Sequence, residues 1–440
     1  MMITTEQLKK RMGVEKLTPM QEETGKAMQS GQPNIVVLSP TGSGKTLAYL
    51  LPIVQGINAE SDEVQVVVVL PTRELAIQSQ QVLTGLDKQV RSQCCYGGRP
   101  AMDEHREMMK KRPQVLFGTP GRLNDHIAKG NFSVYHVRRL IVDEYDKCLE
   151  MGFREELSAL VKSLPGVNQK VLLSATNTQE QPFLFAGKPY QVVNYSQSDE
   201  NNERVHIFQL RSEVKDKLEL LKRLVCAFGN ESCIVFLNYR ESVERVAAYL
   251  KEEGFSVVSY HGGMEQEERE KAFAAFRNYS ASVLVATDIA SRGIDIPNVK
   301  NIVHYHLPLN EVAYTHRVGR TARWESTGVT FFLLGPEETI PDFVTAEVAA
   351  YTLPETVAEP APPKMVTLYI GKGKLDKISK GDIVGFLCKI GGLNSSDIGV
   401  IEVKDRYTYV AVNYSKYKGV IAAANGERIK NKKTVVEIVK

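Results

Sequence analysis

The stretch from Ser39 to Thr46, S-P-T-G-S-G-K-T, constrains the fold of this chain more than any other. The apolar run Asn34–Leu38 precedes it, and residues 47–51, of helix-forming composition, follow it. A strand, a glycine-rich turn and a helix in this order are typical of a loop that binds nucleotide phosphates. A plain connecting turn is the alternative, and the flanking strand and helix favour the phosphate loop.

Each residue type in this loop has a chemical reason to be there. Gly42 and Gly44 allow backbone N–H groups to converge on phosphate oxygens, and the N-terminus of the following helix favours negative charge. Lys45 would reach the β- and γ-phosphates, and the hydroxyl of Thr46 would hold Mg²⁺. Ser39 stands where the usual motif has its first glycine. We predict nucleotide contacts from Ser39, Pro40, Thr41, Gly42, Ser43, Gly44, Lys45 and Thr46.

Composition limits the class of protein. The chain has 440 residues, enough for two or three domains. Its content of 43% hydrophobic and 24% charged residues is ordinary for a globular protein. Apolar runs such as Val66–Leu70 are far too short to cross a bilayer. Six scattered cysteines without a C-x-x-C pair predict reduced thiols in a cytoplasmic protein rather than a disulfide framework or a metal site.

Positive charge is concentrated at the C-terminal end. Residues 364–440 carry 15 Lys and Arg against 7 Asp and Glu, a net charge of +8, whereas the remainder carries 40 against 45, a net charge of −5. This asymmetry is typical of an appended module that binds a polyanion.

The first half of the chain has the pattern of a parallel sheet. Short β-branched runs alternate with longer helical patterns, as expected for strands that helices cover on both faces. The N-terminal stretch Thr5–Gln21 is predicted to be helical, and the linker Ser196–Arg204 ends the domain. Predicted strands are Asn34–Leu38, Val66–Leu70, Gln114–Phe117, Leu140–Val142 and Val171–Leu173, and predicted helices include Arg73–Leu86 and Met102–Lys111.

The same alternation restarts after the linker without a second G-K-T loop, which suggests one nucleotide site that the second domain completes. Pro354–Lys364 is rich in proline and predicts an extended, fairly stiff spacer. Predicted strands here are His206–Leu210, Ile234–Leu237, Val257–Tyr260, Val283–Ala286, Ile302–Tyr305 and Thr330–Leu334.

The C-terminal segment has an order of its own. Strands are expected at Val366–Ile370, Ile398–Val403, Thr408–Val412 and Val435–Val439, and helices at Asp382–Ile390 and Lys416–Ala424. This βαββαβ order is that of the ferredoxin-like fold and of RNA-recognition sheets. A small dimerisation or regulatory domain of the same topology is the alternative.

Asp143 and Glu144 follow the apolar run that ends at Val142. A carboxylate there is placed to hold Mg²⁺ opposite the Thr46 hydroxyl, acting through bound water, and we assign that role to Asp143. Glu144 is the candidate that orients and deprotonates the attacking water.

At this point the sequence resembles a known family. D-E-Y-D at residues 143–146 is similar to the D-E-A-D motif of the DEAD-box RNA helicases, and the family's other motifs follow in order. Tyr145, Ala322 and Val14 depart from the family pattern, and we expect nucleotide affinity to be the property that they affect. The matching stretches are Gln21 in L-T-P-M-Q, Pro71–Ala76 (P-T-R-E-L-A), Gly97–Gly98, Thr119–Arg122 (T-P-G-R), Ser174–Thr176 (S-A-T), His261–Gly262 with Gln266 and Arg269, Ala286–Asp288, Arg292–Asp295 and His316–Arg323.

The resemblance implies two RecA-like parallel-sheet domains that bind ATP, Mg²⁺ and RNA. Gln21 would read the adenine edge, and Asp295 would contact the nucleotide from the second domain. Arg320 and Arg323, three apart and expected on one helix face, would act as arginine fingers, with a solvated basic face as the alternative. Ser174, Thr176 and His316 would couple hydrolysis to strand separation. RNA-backbone contacts would come from Thr72, Arg73, Gly98, Thr119, Arg122, Arg269 and Thr287.

The C-terminal module resembles the RNA-binding domain of DbpA-type DEAD-box proteins, most clearly at Gly381–Leu387 and Asp397–Ile401. That resemblance implies binding to large-subunit ribosomal RNA and a role in large-subunit assembly. Tyr369, Tyr407 and Tyr409 fall where RNA-recognition sheets place base-stacking aromatics; packing in a core is the alternative. Phosphate contacts are expected from Lys372, Lys374, Lys377, Arg428, Lys430, Lys432 and Lys433.

The sequence therefore predicts an RNA-stimulated ATPase, a monomeric cytoplasmic RNA helicase that unwinds short duplexes. The predicted domains are residues 1–198, 199–352 and 365–440, with a linker at 353–364. Three other functions are open from sequence: a DNA helicase or translocase, an ATP-gated RNA clamp with slow turnover, and an RNA-annealing chaperone that does not use ATP.

Overall fold

A computed structural model describes residues 5–12, 15–40, 42–98, 101–176, 182–196, 205–290, 299–321 and 328–439. The chain divides into two compact units. The first contains a seven-stranded sheet, and the second contains another seven-stranded sheet together with the four-stranded sheet of the C-terminal module. No helix in these ranges is long and apolar enough to span a membrane.

The first sheet is parallel throughout, with strand order β3-β4-β2-β5-β6-β1-β7. Its central strands are buried along their length, as the V-V-V-V of β2 predicts. The strands are β1 Asn34–Leu38, β2 Val66–Val69, β3 Ser92–Cys95, β4 Val115–Gly118, β5 Arg139–Val142, β6 Gln169–Ser174 and β7 Gln191–Asn194. The helices are α1 Thr5–Met12, α2 Pro19–Gln29, α3 Lys45–Gly56, α4 Arg73–Leu86, α5 Ala101–Lys111, α6 Pro120–Ala128, α7 Tyr145–Glu150 and α8 Arg154–Ser163.

The helix predicted over Thr5–Gln21 is not continuous. Helix α1 ends at Met12, and α2 begins at Pro19. Thr18 has extended backbone, and its hydroxyl accepts a hydrogen bond from the N–H of Gln21 while the Gln21 side chain accepts one from the N–H of Thr18. This capping box, with proline in the first turn, starts a new helix and explains the error.

The strand order separates two groups of motifs on the carboxyl edge of the first sheet. The phosphate loop follows β1, D-E-Y-D follows β5 and S-A-T ends β6, and these three strands are neighbours. The stretches expected to bind RNA follow β2, β3 and β4, which are neighbours on the other side. In parallel sheets ligands bind beyond the carboxyl ends of the strands. We call the part of this edge beyond β5, β6 and β1 the nucleotide side and the part beyond β3, β4 and β2 the RNA side, after the ligands that the sequence predicts there.

The second sheet repeats this plan with order β10-β11-β9-β12-β13-β8-β14, again parallel throughout. The strands predicted at Val257–Tyr260 and Val283–Ala286 are confirmed. The strands are β8 Val205–Arg211, β9 Cys233–Phe236, β10 Val257–Tyr260, β11 Val283–Ala286, β12 Asn301–His304, β13 Gly328–Leu334 and β14 Ala349–Ala350. The helices are α9 Leu218–Phe228, α10 Arg240–Glu252, α11 Gln266–Arg277 and α12 Glu311–Val318.

The C-terminal module has the predicted βαββαβ order, with a short hairpin added before the last strand. Its sheet is antiparallel with order β16-β17-β15-β20, and one face packs against both helices through Leu368, Phe386 and Val410. The elements are β15 Met365–Ile370, α13 Lys380–Lys389, β16 Ile398–Val403, β17 Thr408–Asn413, α14 Tyr417–Ala424, the hairpin β18 Arg428–Ile429 and β19 Lys432–Lys433, and β20 Val436–Ile438.

The opposite face of this small sheet contacts the end of α11. Thr367 Oγ1 is 2.7 Å from Ser280 Oγ and accepts a hydrogen bond from Asn278 Nδ2 at 3.3 Å. Arg277 Nη2 and Glu402 Oε2 form an ion pair at 2.5 Å. The proline-rich segment before the module has neither helix nor strand. The module is therefore joined to the domain of the second sheet by side-chain contacts as well as by the chain.

Candidate functional site

The phosphate loop is held closed by its own side chains. Lys45, the first residue of α3, donates from Nζ to the carbonyl oxygens of Ser39 (2.7 Å) and Pro40 (3.1 Å). Gly44 has a φ of 86°, and a Cβ there would lie 2.3 Å from Gln21 Nε2, so only glycine fits. Of the eight predicted loop residues, Thr41 lies outside the described part of the chain.

Gln21 is a buried residue of α2 that joins this helix to the loop. Its Nε2 donates to the carbonyl oxygen of Gly44 at 3.2 Å, and its Oε1 accepts from the Thr18 N–H at 3.0 Å. The side chain thus lies against the phosphate loop, while its contact with adenine stays a prediction.

The two carboxylates after β5 are both buried. Asp143 is 3% exposed and Glu144 is 8% exposed, and the N–H of Glu144 donates to Asp143 Oδ1 at 2.9 Å. Burial, followed by the charge of Glu144, raises the pKa of Asp143 to about 7, although Lys45 acts against the shift. Glu144 has a φ of 51°, a left-handed conformation that is uncommon for residues other than glycine.

Tyr49 is a site residue that the motif analysis missed. Its fully buried hydroxyl lies beside Asp143, Ser79 and Thr46, yet it makes no hydrogen bond of normal length and angle with described residues. Burial and the charge of Asp143 raise the pKa of the phenol well above its usual value, so it stays protonated. Its position four residues after Lys45, one helical turn onwards, was the available signal.

The oxygen atoms gathered here suit a hard cation. Thr46 offers a hydroxyl and Asp143 a carboxylate, and the Tyr49 hydroxyl beside both lacks a hydrogen-bond partner among the described residues. Mg²⁺ binds through oxygen ligands and retained water molecules, and an O–H donor near a carboxylate can orient such water. The residues present therefore fit a magnesium ion.

D-E-Y-D and S-A-T are joined by the third carboxylate of D-E-Y-D. Asp146 Oδ2 accepts from Thr176 Oγ1 at 2.9 Å and from the Thr176 N–H at 3.3 Å, and Ser174 Oγ donates to the Thr176 carbonyl at 2.7 Å. Tyr145 packs in the hydrophobic core, 6.2 Å from the ring of Phe183, so its bulk is accommodated. Asp146 was not among the predicted residues, and its link to Thr176 arises only because β5 and β6 are neighbours.

The five RNA-contact candidates of the first domain lie on the RNA side of the sheet edge. Thr72 caps α4 by accepting from the Leu75 N–H, whereas the Thr119 hydroxyl before α6 makes no capping bond. The guanidinium of Arg73 lies 5.1 Å from the centre of the Tyr96 ring. The five candidates are Thr72, Arg73, Gly98, Thr119 and Arg122.

The second domain has a buried arginine that the predictions did not include. Arg317 of α12 is 0% exposed and pairs with Asp288, from Nε to Oδ1 at 2.5 Å. It also donates to Asn238 Oδ1 at 2.7 Å and to the carbonyl oxygen of His306 at 2.8 Å. This one side chain fixes the loops that follow β9, β11 and β12.

Arg320 was expected to lie on a helix, on the same face as Arg323, but in the structure it is not part of a helix. Helix α12 ends at Val318, with Gly319 as its C-cap, and Arg320 lies beyond it, 3% exposed. Just beyond this end, the Thr321 hydroxyl donates to the Val299 carbonyl at 2.6 Å. Arg323 and Asp295 lie outside the described residues.

The other predicted residues of the second domain lie on separate elements. Thr287 follows β11, His316 is buried in α12, and Arg269 is on α11. The Arg269 Nε is buried and finds no hydrogen-bond partner among described residues.

The three tyrosines of the C-terminal module form one cluster, with ring centres 4.9–6.3 Å apart. The prediction of base stacking is wrong for Tyr409 in this structure, because its side chain is covered and only 2% exposed. Burial and nearby carboxylates, among them Glu267 and Glu270, raise the pKa of Tyr407 and Tyr409. For Tyr369 and Tyr407, which are partly buried, base stacking stays a prediction.

Comparisons with known proteins identify the family. A family model of the DEAD/DEAH box helicase matches residues 18–183, one of the helicase conserved C-terminal domain matches 216–325, and one of the DbpA RNA binding domain matches 367–438. The chain is 33% identical to the ATP-dependent RNA helicase DbpA of Escherichia coli strain K12 over 98% of its own length and 96% of the relative's. This chain is a DEAD-box RNA helicase of the DbpA type.

Further relatives agree with this assignment. The DbpA helicase of Bacillus subtilis strain 168 is 31% identical over 92% of this chain and 91% of its own. A structure of Mss116p bound to single-stranded RNA and AMP-PNP is 26% identical, with a TM-score of 0.70 over 80% of this chain and 78% of that one. A structure of yeast Dbp5 with RNA and ADP BeF3, at 24% identity and a TM-score of 0.69 over 79% of this chain and 94% of that one, shows the same fold. The chain therefore shares ATP-dependent RNA helicase activity and two RecA-like domains with its family.

Proposed function

We propose that this DEAD-box helicase remodels large-subunit ribosomal RNA during assembly of the large ribosomal subunit. The observation that carries the proposal is the C-terminal module, whose sequence matches the DbpA RNA binding domain over residues 367–438 and whose charge is strongly positive. We include in the proposal that the protein acts as a monomer in the cytoplasm, where its six free cysteines would remain reduced.

We propose that ATP binds on the nucleotide side of the first sheet. Lys45 exchanges its two loop carbonyls for phosphate oxygens, and Gln21, already against the loop, recognises adenine. Thr46 and Asp143 hold Mg²⁺, which when bound neutralises phosphate charge. Glu144, fixed by its left-handed backbone, orients and deprotonates the attacking water. Arg320, Arg323 and Asp295 act on the nucleotide from the second domain.

RNA is proposed to bind through its backbone on the neighbouring side of the same edge. Hydroxyls, guanidinium groups and loop N–H groups suit phosphates and 2′-hydroxyls and carry no sequence information. Selectivity is therefore assigned to the C-terminal module. Asp146 and Thr176 join the carboxylates of the nucleotide site to S-A-T, and with Ser174 and His316 they form our proposed link between hydrolysis and strand separation.

The module presents a set of exposed basic residues for this purpose. Lys374 and Lys377 lie in the loop after β15, and Arg428 and Lys433 lie in the β18–β19 hairpin. The two segments are adjacent, because Lys432 of the hairpin pairs with Asp376 of the loop at 3.1 Å. One continuous basic surface of this kind matches a folded RNA hairpin by charge.

Steady-state ATP hydrolysis by the full chain tests the proposal. Rates would be compared without RNA, with mixed RNA and with a large-subunit ribosomal RNA fragment, and Glu144→Gln should abolish hydrolysis. We expect the ribosomal fragment to stimulate hydrolysis at concentrations at least about tenfold lower than mixed RNA does. This ratio corresponds to a difference of about 1.4 kcal/mol in binding free energy.

A matched pair of charge variants separates the module from the helicase core. Neutralising Lys374, Lys377 and Lys433 to glutamine should remove the preference, whereas the same change at Lys364, Lys389 and Lys418, exposed lysines elsewhere in the segment, should keep it. Equal stimulation by every RNA would retain the RNA helicase and refute the ribosomal target.

A further inference from the structure

A fully buried carboxylate lies beneath the RNA side of the first domain. Glu104 of α5 is 0% exposed. Its Oε1 accepts from the Tyr96 N–H at 3.1 Å, and its Oε2 lies 3.0 Å from His126 Nε2 and 3.5 Å from Arg122 Nη1. Gln93 also donates to its carbonyl oxygen at 2.9 Å. Glu104 thus contacts both β3 with its following loop and helix α6.

The hydrogen bonds fix the state of this cluster. Asn131 Nδ2 lies 2.7 Å from His126 Nδ1 and donates to it, so Nε2 carries the ring proton and donates to Glu104. Cys95 is close by, and burial followed by the charge of Glu104 raises the pKa of its thiol well above the usual value. The ring N–H of His126 and the guanidinium of Arg122 lie on the same carboxylate oxygen, and the protonated thiol of Cys95 is nearby, so these groups form a polar anchor rather than a set of metal ligands.

The anchored atoms belong to the stretches that we expect to bind RNA. Tyr96 immediately precedes Gly97–Gly98, and its ring supports the guanidinium of Arg73. Gly98 has a φ of 86°, and a Cβ there would lie 3.5 Å from Arg73 Nη1, so this turn and Arg73 are packed together. Arg122 belongs to T-P-G-R. One carboxylate therefore holds two RNA-contact stretches directly and Arg73 through Tyr96.

We propose that Glu104 is a positioning residue for RNA binding. A guanidinium that is free in solution loses rotamer entropy when it is fixed on a phosphate. The contact with Glu104 restrains the direction of the Arg122 guanidinium before RNA binds. Preorganisation of this kind raises affinity by reducing the ordering that binding requires.

The inference rests on the proposed RNA contact of Arg122, and the test distinguishes a failure of that contact from a failure of the Glu104 role. The measured quantities are the RNA concentration for half-maximal ATPase stimulation, the rate at saturating RNA and the KM for ATP. Glu104→Gln keeps an acceptor for the Tyr96 N–H but removes the charge. We expect it to raise the half-stimulating RNA concentration about tenfold, with the saturating rate and the KM for ATP within about twofold of wild type.

Two further variants complete the design. Glu107→Gln makes the same chemical change at an exposed position of α5 and should leave every quantity unchanged. Arg122→Ala should raise the half-stimulating concentration on its own. Glu104→Gln should add nothing to it, because glutamine keeps the acceptor for the Tyr96 N–H and the lost charge therefore acts through Arg122. If Arg122→Ala has no effect, the RNA contact of Arg122 is wrong. If Arg122→Ala weakens RNA binding and Glu104→Gln does not, or the two effects add, the positioning role of Glu104 is wrong.

A second variant at the same position keeps the proposal testable if Glu104→Gln does not fold. Glu104→Asp keeps the charge in the core but withdraws it by one methylene, and it should show the same RNA-specific change. Stoichiometric metal in the purified wild-type protein, absent from the Glu104 variants, would refute the polar anchor. A fall in melting temperature with an unchanged half-stimulating RNA concentration would show a structural role alone and overturn the proposal.

Discussion

Single side chains around Asp143 show how far local sequence can specify a site. Lys45, Thr46 and Glu144 lie within motifs whose spacing fixes their geometry, so sequence predicts them. Tyr49 is different, because its hydroxyl reaches Asp143 only after β1 and β5 have been placed in one sheet. Glu104 and Arg317 were missed for the same reason, since their partners come from distant parts of the chain.

Replacing Tyr49 by phenylalanine tests its part in metal binding. The change removes a buried hydroxyl without a normal hydrogen bond, so we expect the unfolding free energy without nucleotide to stay equal or rise by about 1 kcal/mol. The Mg²⁺ concentration needed for nucleotide binding should rise about threefold, because a donor that orients the metal site is lost. Thermal melting and Mg²⁺ titration of nucleotide binding measure the two effects. Tyr190→Phe is the control, and an unchanged Mg²⁺ requirement would contradict the role.

At the scale of elements, apolar periodicity predicted most strands within one or two residues of their observed ends. It missed β3 (S-Q-C-C) and β7 (Q-V-V-N), whose polar residues hide a short strand from a pattern based on hydrophobicity. It also extended the helix expected around Arg320, because the contact of Thr321 with Val299, just beyond the end of α12, joins residues that are distant in the sequence. Helix ends fixed by tertiary contacts leave little trace in local sequence.

The packing of β12 against α12 predicts how stability depends on pH. His304 is fully buried and stacks on Phe332 with ring centres 4.5 Å apart, and burial together with Arg317 lowers its pKa well below the usual value. Above about pH 6.5 the ring is neutral in both states. Below that pH the unfolded chain binds the proton first, so the folded state loses up to about 1.4 kcal/mol per pH unit.

His304→Phe keeps the stacked ring and removes the titrating group. Between pH 7.5 and 5.5 we expect the second domain of the variant to lose less stability than wild type, measured by denaturant unfolding at each pH. His306, whose pKa burial also lowers, should leave a residual pH dependence. His206→Gln, at an exposed position of β8, should behave as wild type. Equal losses in His304→Phe and wild type would contradict this assignment.

For the molecule as a whole, what the open face of the C-terminal sheet contacts could not be predicted from sequence. The βαββαβ order and the tyrosines predicted an open face for RNA bases. In the structure Thr367, on that face, contacts the end of α11, and carboxylates of α11 lie near the tyrosine cluster. Because negative charge there opposes RNA, we propose the exposed lysines of the β18–β19 hairpin and the loop after β15 as the RNA surface instead.

A charge swap across this contact tests whether it holds the module in place. Glu402 is mostly buried, and although burial opposes ionisation, Lys404 and Arg277 keep its pKa below the usual value. Arg277→Glu or Glu402→Arg alone should cost about 2 kcal/mol, because each leaves like charges in a partly buried site. The double variant should recover most of this loss.

Limited proteolysis of the proline-rich segment and thermal melting measure whether the module is released. A released module exposes the segment to protease and melts separately from the second domain. If the module melts together with the second domain in both single variants, as in wild type, the contact does not hold the module. If the single variants release the module and the double variant restores its attachment, the contact gives the RNA surface of the module a fixed direction relative to the second helicase domain.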